Sequence, residues 1–260
     1  MTRMKIKIIS KKRYKEIEKI KKELNVVSGK ETKADICIAI GGDGTFIRAA
    51  KEFDGPILPI RANDLDSMGY YADVSTDNIN EVIRLLKTNA FKIKTISKMI
   101  TLHYKNRKYY AVNEILLRNK LEEVYFDIEI NGRKEKNNSF KISGDGFIVT
   151  NLIGSTAYNR SAGGPIILTQ KAICITFLNA DGPFKNSIIL DPDSKINVAI
   201  KKYNGIIRCD SENIAEIKPG ERFKIELSDR TIRIIQFDKF IEPFFKKINR
   251  ALADKMITGE

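Results

Sequence analysis

Up to about residue 90, the apolar positions fall in turn into short runs and into a three-to-four-residue period. Lys5 to Ile9 reads as a strand. Tyr14, Ile17, Ile20 and Leu24 follow at helical spacing in a Lys/Glu-rich stretch, which predicts an amphipathic helix. Ala34 to Ile40 is almost continuously apolar, as a strand covered on both faces of a parallel sheet would be. Phe46 to Phe53 reads as a helix and Pro56 to Ile60 as a short strand. Ile79, Val82, Ile83 and Leu86 mark a third helix over Asp77 to Lys87, with Thr76 or Asp77 as its N-cap. This strand–helix alternation predicts a doubly wound or related α/β domain.

The rhythm changes near residue 91. Phe91 to Tyr104, Lys108 to Leu117, Val124 to Ile130 and Gly146 to Thr150 read as strands. Further strands are expected at 172–178, 187–190, 195–200, 206–209, 222–227 and 231–237. Asn131-Gly132 and Asn204-Gly205 are turn dipeptides, the first placed as in a hairpin. Such spacing predicts an all-β domain with layered or sandwich-like sheets. From Phe240 to Leu252 the helical period returns, with Ile241, Phe244, Phe245, Ile248 and Leu252 on one side. The expected organisation is an α/β domain over 1–90, a β-rich domain over 91–239, and a tail helix at 240–260 that returns to the first domain.

With 260 residues, 42% hydrophobic and 30% charged, the chain has the composition of a folded protein. It holds no apolar run near the roughly 18–20 residues of a membrane span. Lysine and arginine interrupt the N-terminal segment before an apolar signal region can form. A cytoplasmic protein without membrane association is expected. The formal net charge of +13 attracts polyanions, including phosphorylated metabolites. The basic residues are spread through the chain, however, and no nucleic-acid-binding motif accompanies them, so no nucleic-acid partner is expected. Cys37, Cys174 and Cys209 are far apart and without a C-x-x-C; they suggest neither a disulfide framework nor a zinc site. His103, the single histidine, reads as a surface or edge residue of a strand. Carboxylates and bound metal are left to carry the chemistry.

The sharpest signal is Gly41-Gly42-Asp43-Gly44-Thr45, between a buried strand and a helix. Glycines let backbone approach an anion closely, and the N–H groups at the start of the following helix bind phosphate. A carboxylate in that turn can hold Mg²⁺ or take a proton from an attacking hydroxyl. A tight turn with Asp43 as a cap is the plainer alternative. The spacing matches neither a Walker A loop nor a Rossmann fingerprint.

Asn113-Glu114 interrupts the apolar run from Tyr110 to Leu117. Such a pair is either hydrogen-bonded structure or the lining of a ligand site. A third segment combines Ser143-Gly144-Asp145-Gly146 with Gly154-Ser155-Thr156-Ala157-Tyr158-Asn159-Arg160-Ser161-Ala162-Gly163-Gly164-Pro165. Its small residues leave room for a flat ring beside Tyr158, with hydroxyl and backbone groups to read the ring edge.

These three segments, in this order and at these separations, resemble the NAD kinase family, from the strand before Gly41 to at least Pro165. Phe244-Phe245-Lys246 in the final helix is similar too. The resemblance implies an α/β phosphate-binding domain and a β-rich dinucleotide-binding domain. It implies transfer of the ATP γ-phosphoryl group to the 2′-hydroxyl of the NAD adenosine ribose, giving NADP. Asp43 would be the general base, and Gly41, Gly42, Gly44 and Thr45 would form the ATP phosphate turn. NAD would contact Asp43, Gly44, Arg48, Asn113, Glu114 and Asp145, the last at the nicotinamide end. Ser155, Thr156, Ala157, Tyr158 and Ser161 would build the adenine pocket. Mg²⁺ or another divalent ion would be held mainly by substrate phosphates, and the enzyme would be a homodimer or homotetramer.

The chain departs from the family pattern in four places: Asn63 to Tyr70, Asn151-Leu152-Ile153, Phe177 to Pro183, and Glu212, where glutamine is common. Lipid kinases and phosphofructokinases share G-G-D-G-T. A lipid kinase would carry Asn-Glu directly after it, whereas Phe46-Ile47 follow here. The sugar-phosphate motifs expected of a phosphofructokinase are not found. A non-catalytic dinucleotide sensor would have no use for an intact Asp43.

Overall fold

The computed structural model describes residues 4–29, 33–63, 69–119, 123–131, 138–181 and 185–250. The chain forms two units, one running to Thr95 and resuming at Ile232, the other spanning Ile96–Thr231.

The first unit contains β1 (Lys5–Ser10), α1 (Lys15–Glu23), β2 (Asn25–Val26), β3 (Ile36–Gly41), α2 (Asp43–Glu52), β4 (Pro56–Arg61), β5 (Val74–Ser75) and α3 (Ile79–Lys87). Its strands pair in parallel: β2 on β1, β1 on β3, β3 on β4, and β4 on β5. All six residues of β3 are buried, because helices cover both of its faces. Ile36, Ile38 and Ile40 face a core shared with Ile20 of α1 and Val82, Ile83 and Leu86 of α3. Cys37 and Ala39 alternate to the other side, where their small side chains admit α2 through Phe46, Ala49 and Ala50.

The strand β6 (Lys92–Tyr104) carries the chain into the second unit. There follow β7 (Arg107–Ala111), β8 (Glu114–Arg118), β9 (Val124–Asn131), β10 (Asn138–Gly144), β11 (Gly146–Thr150), α4 (Tyr158–Ser161), β12 (Ile173–Leu178), β13 (Ile188–Leu190), β14 (Lys195–Lys202), β15 (Gly205–Cys209) and β16 (Glu212–Ile217). The long β17 (Arg222–Gln236) returns to the first unit, where its end pairs in parallel with β4. In the second unit β10, β9, β14 and β17 form one antiparallel layer. A separate antiparallel sheet runs β13-β12-β11-β8-β15-β16. Both sheets bury side chains in one core, with Phe147 of β11 5.1 Å from Phe126 of β9 and 6.4 Å from Phe223 of β17.

The run from Lys108 to Leu117 is two strands, broken at Val112-Asn113, whereas 222–227 and 231–237 are one. In β17, Ser228 stays buried and accepts the Arg230 N–H, and the strand pairs with β14 on one side of it and with β4 on the other. Strands β10 and β16 lack a clear apolar alternation and were not expected. β9 and β10 pair antiparallel, and Gly132 of the expected Asn131-Gly132 turn lies outside the described residues. Asn204-Gly205 joins strands of different sheets, and the left-handed residue there is Tyr203 (φ 60°). The third helix is entered through a 3-10 turn, Thr76–Asn78, in which Ser75 and Asn78 cap each other, instead of by Thr76 or Asp77.

Pro243 delays the tail helix, which spans 244–250 among the described residues; 251–260 lie outside them. Two of its expected apolar positions, Ile241 and Phe245, are exposed. The cysteines are buried, and burial pushes the Cys37 thiol up to about 12. No helix of the described residues is long and apolar enough to cross a membrane.

Candidate active site

The strand–helix turn after β3 owes its shape to Gly41. Its φ is +148°, and a Cβ there would lie 2.5 Å from Thr45 Oγ1. Gly42 is the N-cap of α2 and offers no side chain to it. Thr45 and Phe46 donate back to the Gly42 carbonyl, at 3.0 and 3.3 Å. The earlier N–H groups of an α-helix have no intrahelical acceptor, so this end of α2 presents donors and the positive pole of the helix dipole. Space is open where a Cβ of Gly44 would stand. Asp43 is the first residue of α2 itself and not part of the preceding turn, which fixes its backbone in the helix.

Asp43 keeps part of its surface open although its carboxyl group is packed into the protein. Of these two measures the packing governs its acidity. Burial pushes its pKa up to about 6, against the opposing effects of the Tyr71 and Tyr70 backbone N–H groups and the Arg250 charge. The Tyr71 N–H donates to Asp43 Oδ1 at 3.3 Å. The Tyr71 ring packs 4.6 Å from Phe46, one turn along α2 from Asp43. The carboxylate is therefore mostly ionised at pH 7, yet basic enough to accept a proton. Thr45 is buried. Arg48 is exposed, donates to Ser10 O at 2.8 Å and lies 4.0 Å from Glu52.

In the second unit, Asn113 sits at the break between β7 and β8, and Glu114, buried, opens β8. The break is held by a residue almost a hundred positions away. Asp210, in a left-handed conformation (φ 54°), accepts from the N–H groups of Val112 (3.1 Å), Asn113 (2.8 Å) and Glu114 (3.4 Å). Asn151 Nδ2 donates to Val112 O and Thr150 Oγ1 donates to Asn113 O. Gly154 lies so close that a Cβ would stand 1.8 Å from Asn113 O. The Asn-Glu pair and the glycine-serine-threonine turn thus form one assembly.

Its other end lies along the β8–β11 pair. Glu114 pairs with Thr150 and Arg118 with Gly146, a separation of four residues or roughly 13 Å. Asp145, just before Gly146, accepts from Asn179 Nδ2 at 2.7 Å, and its carbonyl accepts the Asn119 N–H. Arg118 Nη1 lies 3.4 Å from the Tyr158 hydroxyl. Glu114 and Arg118 share a face of β8, so the polar groups line an elongated strip.

Between them, Ser155 is buried; its hydroxyl donates to Leu152 O and accepts from Ile167 N, so it supports the turn from within. Buried Asn159 joins Pro165 O and Thr176 in the same way. Thr156, Ala157 and Tyr158 are half-buried and Ser161 is exposed. Asp210, Asn151, Asn159, Asn179, Arg118 and Arg250 are the residues that motif reading missed. Many of their partners lie at a distance along the chain, and Asp210 and Asn179 adopt left-handed conformations (φ 54° and 45°). His103 pairs with Glu226, 2.6 Å away. Among the departures, residues 64–68 and 182–184 lie outside the described ones. Among the described residues, no three His, Cys, Asp or Glu side chains converge to hold a metal ion.

Residues 2–91 match the ATP-NAD kinase N-terminal domain and residues 112–237 the ATP-NAD kinase C-terminal domain. The chain is 30% identical to an NAD kinase of Bacteroides fragilis over 235 residues, covering 87% of this chain and 77% of that one. It is 27% identical to an NAD kinase of Sulfurimonas denitrificans, over 79% of this chain and 73% of the relative. In fold it resembles an NAD kinase from Archaeoglobus fulgidus solved in complex with ATP. That match has a TM-score of 0.74 and 19% identity, with 95% of this chain and 99% of that chain covered. A yeast NADH kinase complexed with NADH aligns with a TM-score of 0.78 at 17% identity, covering 96% and 87%.

The packing of Asp43 has a consequence for stability. Its folded pKa of about 6 exceeds the ordinary 3.8, so its contribution to folding is fully present below pH 4 and is lost as pH rises through 6. Asp43→Asn should therefore stabilise the protein at pH 7.5, by about 2–3 kcal/mol at most. The gain should vanish at pH 4. Denaturant unfolding at both pH values checks this, and a variant no more stable than the parent at pH 7.5 would contradict it.

Proposed function

The chain belongs to the ATP-NAD kinase family and phosphorylates NAD with ATP, and we propose that Asp43 is the base that takes the proton from the attacking hydroxyl. The observation that carries this reading is the desolvated Asp43 carboxylate at the open, donor-rich end of α2. In this reading the 2′-hydroxyl oxygen of the adenosine ribose forms a bond to the γ-phosphorus. The bond from that phosphorus to the β,γ-bridging oxygen breaks, ADP leaves with the electron pair, and the hydroxyl proton passes to Asp43. The α2 N–H groups beside Gly42 and Gly44 stabilise charge on the phosphate oxygens. Divalent metal enters with the triphosphate as MgATP.

The second unit supplies the dinucleotide contacts. Its elongated strip, from Asn113 and Glu114 past Thr156, Ala157 and Tyr158 to Asp145, suits an extended ligand with polar groups at both ends. Tyr158 and the small residues before it take the adenine, Asn113 and Glu114 the ribose hydroxyls, and Asp145 the nicotinamide end. Ser161 edges the same pocket, and Arg48, on the exposed face of α2, is a further dinucleotide contact.

An NADP-specific cycling assay with purified protein, NAD and MgATP tests the reaction. NADP should form with the parent chain, and Asp43→Asn should lose about 10²–10⁴ in kcat while still binding NAD. Near-normal turnover in that variant would remove Asp43 as the base. A second expectation separates ligand requirements from fold requirements. Since none of the described residues occupies the space beside Gly44, Gly44→Ala should fold with equal or slightly higher stability, by about 0.5–1 kcal/mol. It should nonetheless raise the KM for ATP at least about tenfold, because the new methyl group meets the phosphates. An unchanged KM would mean that the triphosphate does not approach α2 here.

A further inference from the structure

The Asp43 carboxylate is held by backbone N–H groups of Tyr70 and Tyr71, so its position is only as firm as the segment 69–73. That segment is also tied to the tail. Arg250, in the helix at 244–250, donates from Nη1 to Gly69 O and from Nη2 to Ala72 O, each at 3.3 Å. Glu242 Oε2 receives the same guanidinium from Nε at 3.1 Å and Nη2 at 3.0 Å. Asp73, whose side chain is 7% exposed, is gripped by Lys247 at 2.5 Å, Gln236 Nε2 at 2.8 Å and the Glu242 N–H at 3.3 Å.

The connection to Asp43 runs through one short segment. The carbonyls that Arg250 holds, those of Gly69 and Ala72, flank Tyr70 and Tyr71, and the Tyr71 N–H donates to Asp43 Oδ1 at 3.3 Å. Fixing both carbonyls fixes the planar peptide groups between them, and with them the N–H that the carboxylate accepts. A planar guanidinium can serve both carbonyls and Glu242 at once, whereas a lysine ammonium keeps the charge without the fork.

We infer that Arg250 is a positioning residue for the phosphoryl transfer, fixing Asp43 through the Gly69–Ala72 segment, so that the tail completes the catalytic half of the first unit. The inference rests on Asp43 acting as base. It assigns Arg250 no contact with substrate, so its loss should change the rate of transfer and not dinucleotide binding.

The test compares Arg250→Gln, Arg250→Lys and Asp43→Asn in the full chain, reading kcat, the KM for NAD and melting temperature. Arg250→Gln should lower kcat about 10- to 100-fold with the KM for NAD changed less than about twofold. Arg250→Lys should recover part of the loss. Should Arg250→Gln not fold, Arg250→Lys alone is decisive: a lower kcat at an unchanged KM supports the role. Normal kcat in the Arg250 variants, or kcat and KM moving together with a fallen melting temperature, overturns it. An Asp43→Asn enzyme that still turns over sinks the base assignment instead, whereas an inactive Asp43→Asn beside a normal Arg250→Gln removes only the positioning role.

Discussion

The bond between the Asp43 carboxylate and the backbone N–H groups of Tyr70 and Tyr71 joins the functional requirements of the first unit. Packing raises the pKa, and the two N–H donors and Arg250 limit the rise. Left to burial alone, the group would be further neutralised; left in water, it would be a weaker base. The fold holds it between those limits at an energetic cost, since an ionised carboxylate there is less stable than one in water. Much of the unit serves this arrangement. Buried β3 aims the chain at Gly41, the Gly41 conformation starts α2 on Asp43, and Phe46 packs Tyr71 beside it.

The second unit solves a different problem by related means. A polar pair must be presented at the start of a strand whose remaining residues belong in a core. Asp210 ends β7 and begins β8 by accepting three successive N–H groups, while Thr150 and Asn151 take the carbonyls. The backbone of Val112 and Asn113 is thereby satisfied outside the strand ladders. Gly154 brings the glycine-serine-threonine turn against the same break because no side chain intervenes. Motif and scaffold thus interlock, and the separation along β8 gives the strip its length.

Local chemistry made some of this legible in the sequence. The continuous apolar run before Gly41, the glycine cluster and the helical spacing of Tyr14, Ile17 and Ile20 each reflect forces acting over a few residues. The misreadings share a physical cause. Lys108 to Leu117 reads as one strand with a polar pair inside it, because the residue that breaks the strand at Val112-Asn113 is the distant Asp210. The polar residues around Ser228 read as a gap, yet β17 runs from Arg222 to Gln236, paired with β14 near its start and with β4 near its end. In β16 most residues are partly or fully exposed, which leaves little apolar signal to read. The grip of Arg250 on Gly69 joins positions far apart in sequence, and no periodicity announces it.

The central claim is that a carboxylate made more basic by packing accepts the proton of the attacking hydroxyl. The most direct test is the pH dependence of kcat/KM for NAD from pH 5 to 8, with magnesium and ATP saturating. If Asp43 is the base, the profile should be level above pH 7 and fall about tenfold per unit below its folded value of about 6. A profile that stays level down to pH 5 would contradict the account, because the group that takes the proton would then be an ordinary exposed carboxylate or none at all.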